Sequence, residues 1–116
     1  MKVLAINGSP RPKGNTYLAI RAAADALEEA GISCEILHVG NKEVRGCIAC
    51  QKCHDMRNER CAIDDEVNGW IQRMKAADGI ILASPVYYSG IAGTMKAVCD
   101  RAFYVSGANG NFFRLK

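Results

Sequence analysis

Three short apolar runs, alternating with segments of helical periodicity, constrain the fold of this chain more than any other feature. Val3 to Ile6, Cys34 to Val39 and Gly79 to Ser84 read as strands. Between Thr16 and Ala30 the residues Ile20, Ala23, Ala24, Leu27 and Ala30 recur at helical spacing, and Gly31 follows as a left-handed cap. Val67, Trp70, Ile71 and Met74 mark a second helix with Asp64 or Asp65 at its start. Met95, Val98, Cys99 and Ala102 mark a third, and a Gly- and Asn-rich tail begins at Ser106. Strand and helix alternate three times. This order predicts an α/β fold, a doubly wound parallel sheet with helices on both faces and right-handed crossovers. The third run is continuously apolar, which predicts burial on both faces. With strand order 2-1-3, the loops Asn7–Thr16 and Ser84–Gly93 meet where such sheets bind ligands.

Length makes the 116 residues one domain, with a polar, Cys-rich and irregular insert over about residues 40–64. A net charge of +3 from scattered basic residues gives no case for nucleic acid. No apolar run approaches the ~18 residues of a membrane span. Met1 leads directly into the first strand without the pattern of a signal peptide, so a cytoplasmic location is expected. In that setting six cysteines point to metal or redox chemistry before disulfides.

The loop Asn7-Gly-Ser-Pro-Arg-Pro-Lys-Gly-Asn-Thr16 joins the first strand to the first helix and contains no acidic residue. A helix start presents unpaired N–H groups and partial positive charge. Ser9, Asn15 and Thr16 add polar donors, Arg11 and Lys13 add charge, and Gly14 leaves the backbone accessible. Together they suit a phosphate. An ordinary strand-to-helix turn capped by Thr16 is the plainer alternative. Lys13 precedes Gly14, so the Gly-Lys-Ser/Thr of a Walker loop is absent, and Gly8 and Gly14 alone do not make a dinucleotide fingerprint. A phosphate monoester such as FMN fits better.

The facing loop reads Ser84-Pro-Val-Tyr-Tyr-Ser-Gly-Ile-Ala-Gly93. Pro85, Val86, Tyr87 and Tyr88 offer flat apolar surface with polar edges, and Ser89 and Gly90 offer close backbone approach. That is what a planar ring requires. The alternative is that both tyrosines merely cap the sheet.

Cys47, Cys50, Cys53 and Cys61 form C-x2-C-x2-C-x7-C among Lys42, Arg45, Lys52, Arg57 and Arg60. Soft thiolates at this spacing suit an iron–sulfur cluster or zinc, and surrounding cations favour thiolates. A relic loop without metal stays open. Cys50-Gln-Lys-Cys-His54 also matches a c-type haem attachment motif, which requires export. No Cys has an Arg six positions on, which excludes a C-x5-R phosphatase loop. His54 and His38 read as bystanders, and Cys34 and Cys99 as buried small hydrophobes.

Gly-Ser-Pro-Arg-x-x-Gly-Asn-Thr after the first strand and Ser-Pro-Val-Tyr-Tyr after the third resemble the NAD(P)H-dependent FMN reductase branch of the flavodoxin-like fold. The Cys-rich insert resembles that of the iron–sulfur flavoproteins within this branch. The resemblance runs from Met1 to about Phe103. It implies that Ser9, Arg11, Asn15 and Thr16 hold an FMN phosphate and that Pro85, Val86, Tyr87 and Tyr88 line the flavin. With the thiolate chemistry, it favours a [4Fe–4S] cluster on the four cysteines over zinc or no metal. The implied activity is a flavin-dependent oxidoreductase. Electrons would enter from ferredoxin or NAD(P)H, pass between cluster and FMN, and leave to a small-molecule acceptor. The alternatives are a zinc-stabilised or thiol-sensing module without turnover, and a cluster-free FMN or quinone reductase. Family members continue with two further strands and a last helix, so the sheet is expected to be truncated after its third β–α unit. Its open third-strand edge predicts a homo-oligomer.

Overall fold

The computed structural model describes residues 1–114 and 116. Strands β1 (Lys2–Asn7), β2 (Ser33–His38) and β3 (Gly79–Ala83) form a parallel sheet in the order β2-β1-β3. Asn7 pairs with His38 on one side and with Ala83 on the other, so the three strands end level. Helices α1 (Asn15–Glu29), α3 (Glu66–Ala76) and α4 (Gly93–Ala108) complete the α/β alternation read from the sequence. Alternation along β1 divides the core. Leu4 and Ile6 join Trp70, Ile71, Met74, Met95, Val98 and Val105 in one apolar cluster. Ala5 points the other way and is fully buried, as are Ile20 and Ala24 of α1, outside that cluster. Gly31 closes α1 at φ +81°, the left-handed value expected of it. Asp65 caps α3 by accepting from the Val67 N–H at 3.1 Å.

Several local expectations are corrected. The cysteine-rich insert contains a short helix, α2 (Lys52–Met56), and the second loop contains a hairpin, β4 (Val86–Tyr87) with β5 (Gly90–Ile91). Both are too short to leave a periodic signal. The α4 helix runs through Ser106 and Gly107 to Ala108, because Val105 and Ala108 continue its buried stripe. The continuously apolar β3 is not buried on both faces. It forms a sheet edge, and Leu82 is 43% exposed. Cys34 and Cys99 are half-buried.

Candidate functional site

The loops after β1 and β3 leave the sheet side by side, tied where the Gly8 N–H donates to the Ala83 carbonyl at 2.8 Å. Ser9, Arg11, Gly14, Asn15, Thr16, Pro85 and Tyr87 line one cleft of about 220 Å³ between them. Seven of the twelve residues expected to contact the cofactor are thereby brought together. Lys13, Val86, Tyr88, Ser89 and Gly90 lie outside its lining.

The helix start within this cleft is open. Gly14, not Thr16, occupies the N-cap position, no side chain caps the helix, and its first turn carries no acid. Thr16 is already inside the first turn. The free N–H groups and positive end of the dipole are thus left for an anion, with Arg11 beside them. Ser9 is 4% exposed and is fixed twice: its N–H donates to Asn7 Oδ1 at 3.0 Å, and its Oγ accepts from the Arg11 N–H at 3.2 Å. Its hydroxyl proton remains available. Among the described residues, Asn7 Nδ2 has no hydrogen-bond partner, although it is buried at the end of β1. This uncompensated donor fits a site built to receive acceptor groups.

Two residues passed over in the sequence complete this end of the sheet. His38 Nε2 lies 2.7 Å from the Ser9 carbonyl. Gly40 donates its N–H to the Asn7 carbonyl at 3.1 Å, as Val39 does at 3.0 Å. A Cβ on Gly40 would lie 2.2 Å from the Ser9 oxygen, so only glycine permits this approach. The cysteine-rich insert therefore departs from a point in contact with the phosphate-type loop.

The ring loop is a tight hairpin projecting from the sheet. Tyr88 and Ser89 have φ of +41° and +67°, the pattern of a type I′ turn, normally filled by Asn and Gly. Val86, Tyr87 and Tyr88 are all exposed, and of the three only Tyr87 also lines the cleft. Ser84 braces the base: its Oγ accepts from the Ala92 N–H at 2.9 Å and donates to the Pro85 carbonyl at 2.8 Å.

Cys47, Cys50, Cys53 and Cys61 line a second, small cavity with Tyr104 and Arg101 of α4. All six cysteines are free thiols. No three His, Cys, Asp or Glu side chains among the described residues are grouped closely enough to hold a metal ion. The donor set nevertheless has the right chemistry: four soft thiols line this one cavity, and the Ala49 N–H points at Cys47 Sγ at 3.5 Å. Burial pushes the Cys53 thiol up, against neighbouring backbone N–H groups that pull it down. Ala49, Gln51, Arg57 and Glu59 all have positive φ without being glycine. Such a density of left-handed residues persists only where the surrounding structure over-determines the backbone.

Long-range side chains hold this loop. Asn68, 2% exposed on α3, accepts from the Cys61 N–H at 2.7 Å and donates to the Cys61 and Ile63 carbonyls, each at 3.1 Å. Tyr104 donates to Gln51 Oε1 at 2.8 Å and meets the His54 ring edge-on at 4.4 Å. Arg101, 1% exposed, pairs with Asp65 at 2.7 Å. Hydrogen bonds from Arg101 hold the Asp65 carboxyl below the usual carboxylate range. A signal for Arg101 was present: Val98, Arg101, Val105 and Ala108 share the buried spacing of α4, so a cation there demanded a partner.

Among the described residues, no helix is long and apolar enough to cross a membrane. The sequence model of the family described as NADPH-dependent FMN reductase matches residues 1–116. The chain is 45% identical to an iron–sulfur flavoprotein of Methanocaldococcus jannaschii over 88% of its own length and 52% of the relative's. It is 38% identical to an iron–sulfur flavoprotein of Methanosarcina thermophila over 94% of its length and 56% of the relative's. Its fold matches that of an NAD(P)H:quinone oxidoreductase from Methanothermobacter marburgensis with a TM-score of 0.71 at 19% identity, covering 89% of this chain and 53% of that one. The chain thus spans about half the length of the curated relatives it matches.

Proposed function

This chain belongs to the NADPH-dependent FMN reductase family, and on that premise we propose that it is an FMN-binding redox protein whose four-cysteine loop carries a [4Fe–4S] cluster. The observation that carries the flavin reading is the shared cleft: an uncapped, acid-free helix start and Arg11 at one wall, Pro85 and Tyr87 at the other. The α1 N–H groups and Arg11 bind and orient the phosphate, and Ser9 donates its hydroxyl. Pro85 and Tyr87 supply apolar surface for the ring. The cluster reading rests on four thiols lining one cavity within a loop of imposed left-handed turns. When bound, a flavin supplies one- and two-electron chemistry and a cluster one-electron chemistry. Gly40, packed on Ser9, links the two loops directly.

In this reading the donor is NAD(P)H or a ferredoxin, the acceptor is a small oxidant, and the setting is the cytoplasm. Copies associate through the β3 edge, where Leu82 lies exposed. The absence of any metal-ready group among the described residues favours a second reading, a cluster-free flavin reductase.

Analysis of anaerobically purified protein for flavin, iron, acid-labile sulfide and zinc separates them. The expected result is bound FMN with about four iron and four sulfide per chain. FMN without iron establishes the cluster-free reductase. Zinc without iron, in a protein that takes up no added FMN, removes the electron-transfer function altogether.

A further inference from the structure

The cysteine loop is joined to the core by one buried cation. Arg101 Nη1 donates to Asp65 Oδ2 at 2.8 Å and to the Arg45 carbonyl at 3.0 Å. Its Nη2 donates to Asp65 Oδ1 at 2.7 Å and to the Ile63 carbonyl at 3.2 Å. Its Nε donates to Cys61 Sγ at 3.4 Å. All three guanidinium nitrogens are engaged, in a planar fork that lysine does not reproduce. Burial opposes the charge on Arg101, but the bonds with Asp65 and Cys61 outweigh it, and the group stays protonated. Cys61 is thereby set apart. Among the described residues, it is the one member of the four whose sulfur receives a hydrogen bond from a charged side chain.

We propose that Arg101 is a positioning residue that fixes the Cys61 sulfur and, through its charged N–H···S bond, raises the reduction potential of the iron–sulfur cluster bound there. This rests on the cluster reading above. A donor and a positive charge at a ligand sulfur stabilise the reduced cluster, which carries one more negative charge, more than the oxidised one. Asp65 serves in turn as the counter-ion that keeps the guanidinium in place. The device lies in helix α4 and not in the cysteine loop, so the core of the fold tunes the loop.

The test compares wild type with Arg101→Lys and Arg101→Gln after anaerobic reconstitution with iron and sulfide. Lysine keeps a charge beside Asp65, and so protects the fold, but one ammonium cannot pair with both Asp65 oxygens while donating to Cys61 as the fork does. Cluster and flavin potentials are read separately by titration against a chemical reductant, the cluster by electron paramagnetic resonance and the flavin by absorbance. The expected result is a cluster about tenfold harder to reduce in the lysine variant, a shift of ~59 mV to more negative potential for one electron, and more in the glutamine variant. The flavin potential should stay fixed. A folded lysine variant with full iron and an unchanged cluster potential overturns the inference alone. Wild-type protein that takes up no iron and sulfide overturns it together with the cluster reading.

Discussion

The cleft at the end of β1 and the cysteine loop that starts beside it are held by different means. Strand and loop ends hold the cleft from within: Gly8 bonded to Ala83, Val39 and Gly40 bonded to Asn7, one glycine against a carbonyl, and the side chains of Asn7, Ser9, His38 and Ser84 bonded to the backbone of the same loops. Side chains from distant elements hold the cysteine loop: Asn68 from α3, and Arg101 and Tyr104 from α4. A site made from strand and helix ends is fixed as soon as the sheet forms. A loop that departs from preferred backbone angles at four non-glycine residues depends on partners placed by the rest of the core.

The largest break in this comparison should come from Asp65→Ala. It leaves the buried Arg101 without its counter-ion and removes the α3 cap. Loss of the partner of a buried charge costs up to about 3–5 kcal/mol, and less here because Asp65 itself is partly exposed, with the cap about 1 kcal/mol more. Urea unfolding should show that loss, and limited proteolysis should cut the cysteine loop first. Gly40→Ala should do the converse. Its Cβ would meet the Ser9 carbonyl, and overpacking of this kind costs about 1–3 kcal/mol. FMN affinity, followed by fluorescence quenching, should fall about tenfold to a hundredfold, while the iron content stays near wild type. Loss of both cofactors together would mean that the two regions are not separable.

The smallest effect is the acid dependence of the Asp65 pair. Its folded carboxyl titrates below the ordinary aspartate value of about 3.9. The pair's contribution is therefore complete above that value and disappears as the pH falls through the folded value. The stability gap between wild type and Asp65→Asn should be full near neutrality and close in that acid range. A gap that stays constant down to low pH would mean that the ion pair contributes nothing.

Sequence patterns disclosed the strands, the long helices and the loops that form the cleft because these follow from short-range rules, whereas the sheet order came with the family resemblance. Apolar period assigned the three strands and the three long helices, and Gly14 with its neighbours marked an open helix start. The supports of the cysteine loop were hidden for a physical reason. Arg101 and Asn68 lie on apolar helix stripes, but their partners are 36 and 7 residues away in sequence. Nothing local records those pairings. The burial of β3 was misjudged because an apolar run reports what a strand would prefer to face, and here it forms the edge of the sheet.

The insert is moored at both ends. Gly40 is docked on Ser9 where β2 finishes, and Asp65 is bound as cap and counter-ion where α3 begins. Whatever chain runs between these anchorages can be lengthened, shortened or re-spaced without disturbing the register of a single strand. On the cluster reading proposed above, a protein so arranged is a fixed chassis with an exchangeable redox loop. New spacings of the four thiols can be tried by grafting between residues 41 and 64, provided that the arginine in α4 still finds a sulfur.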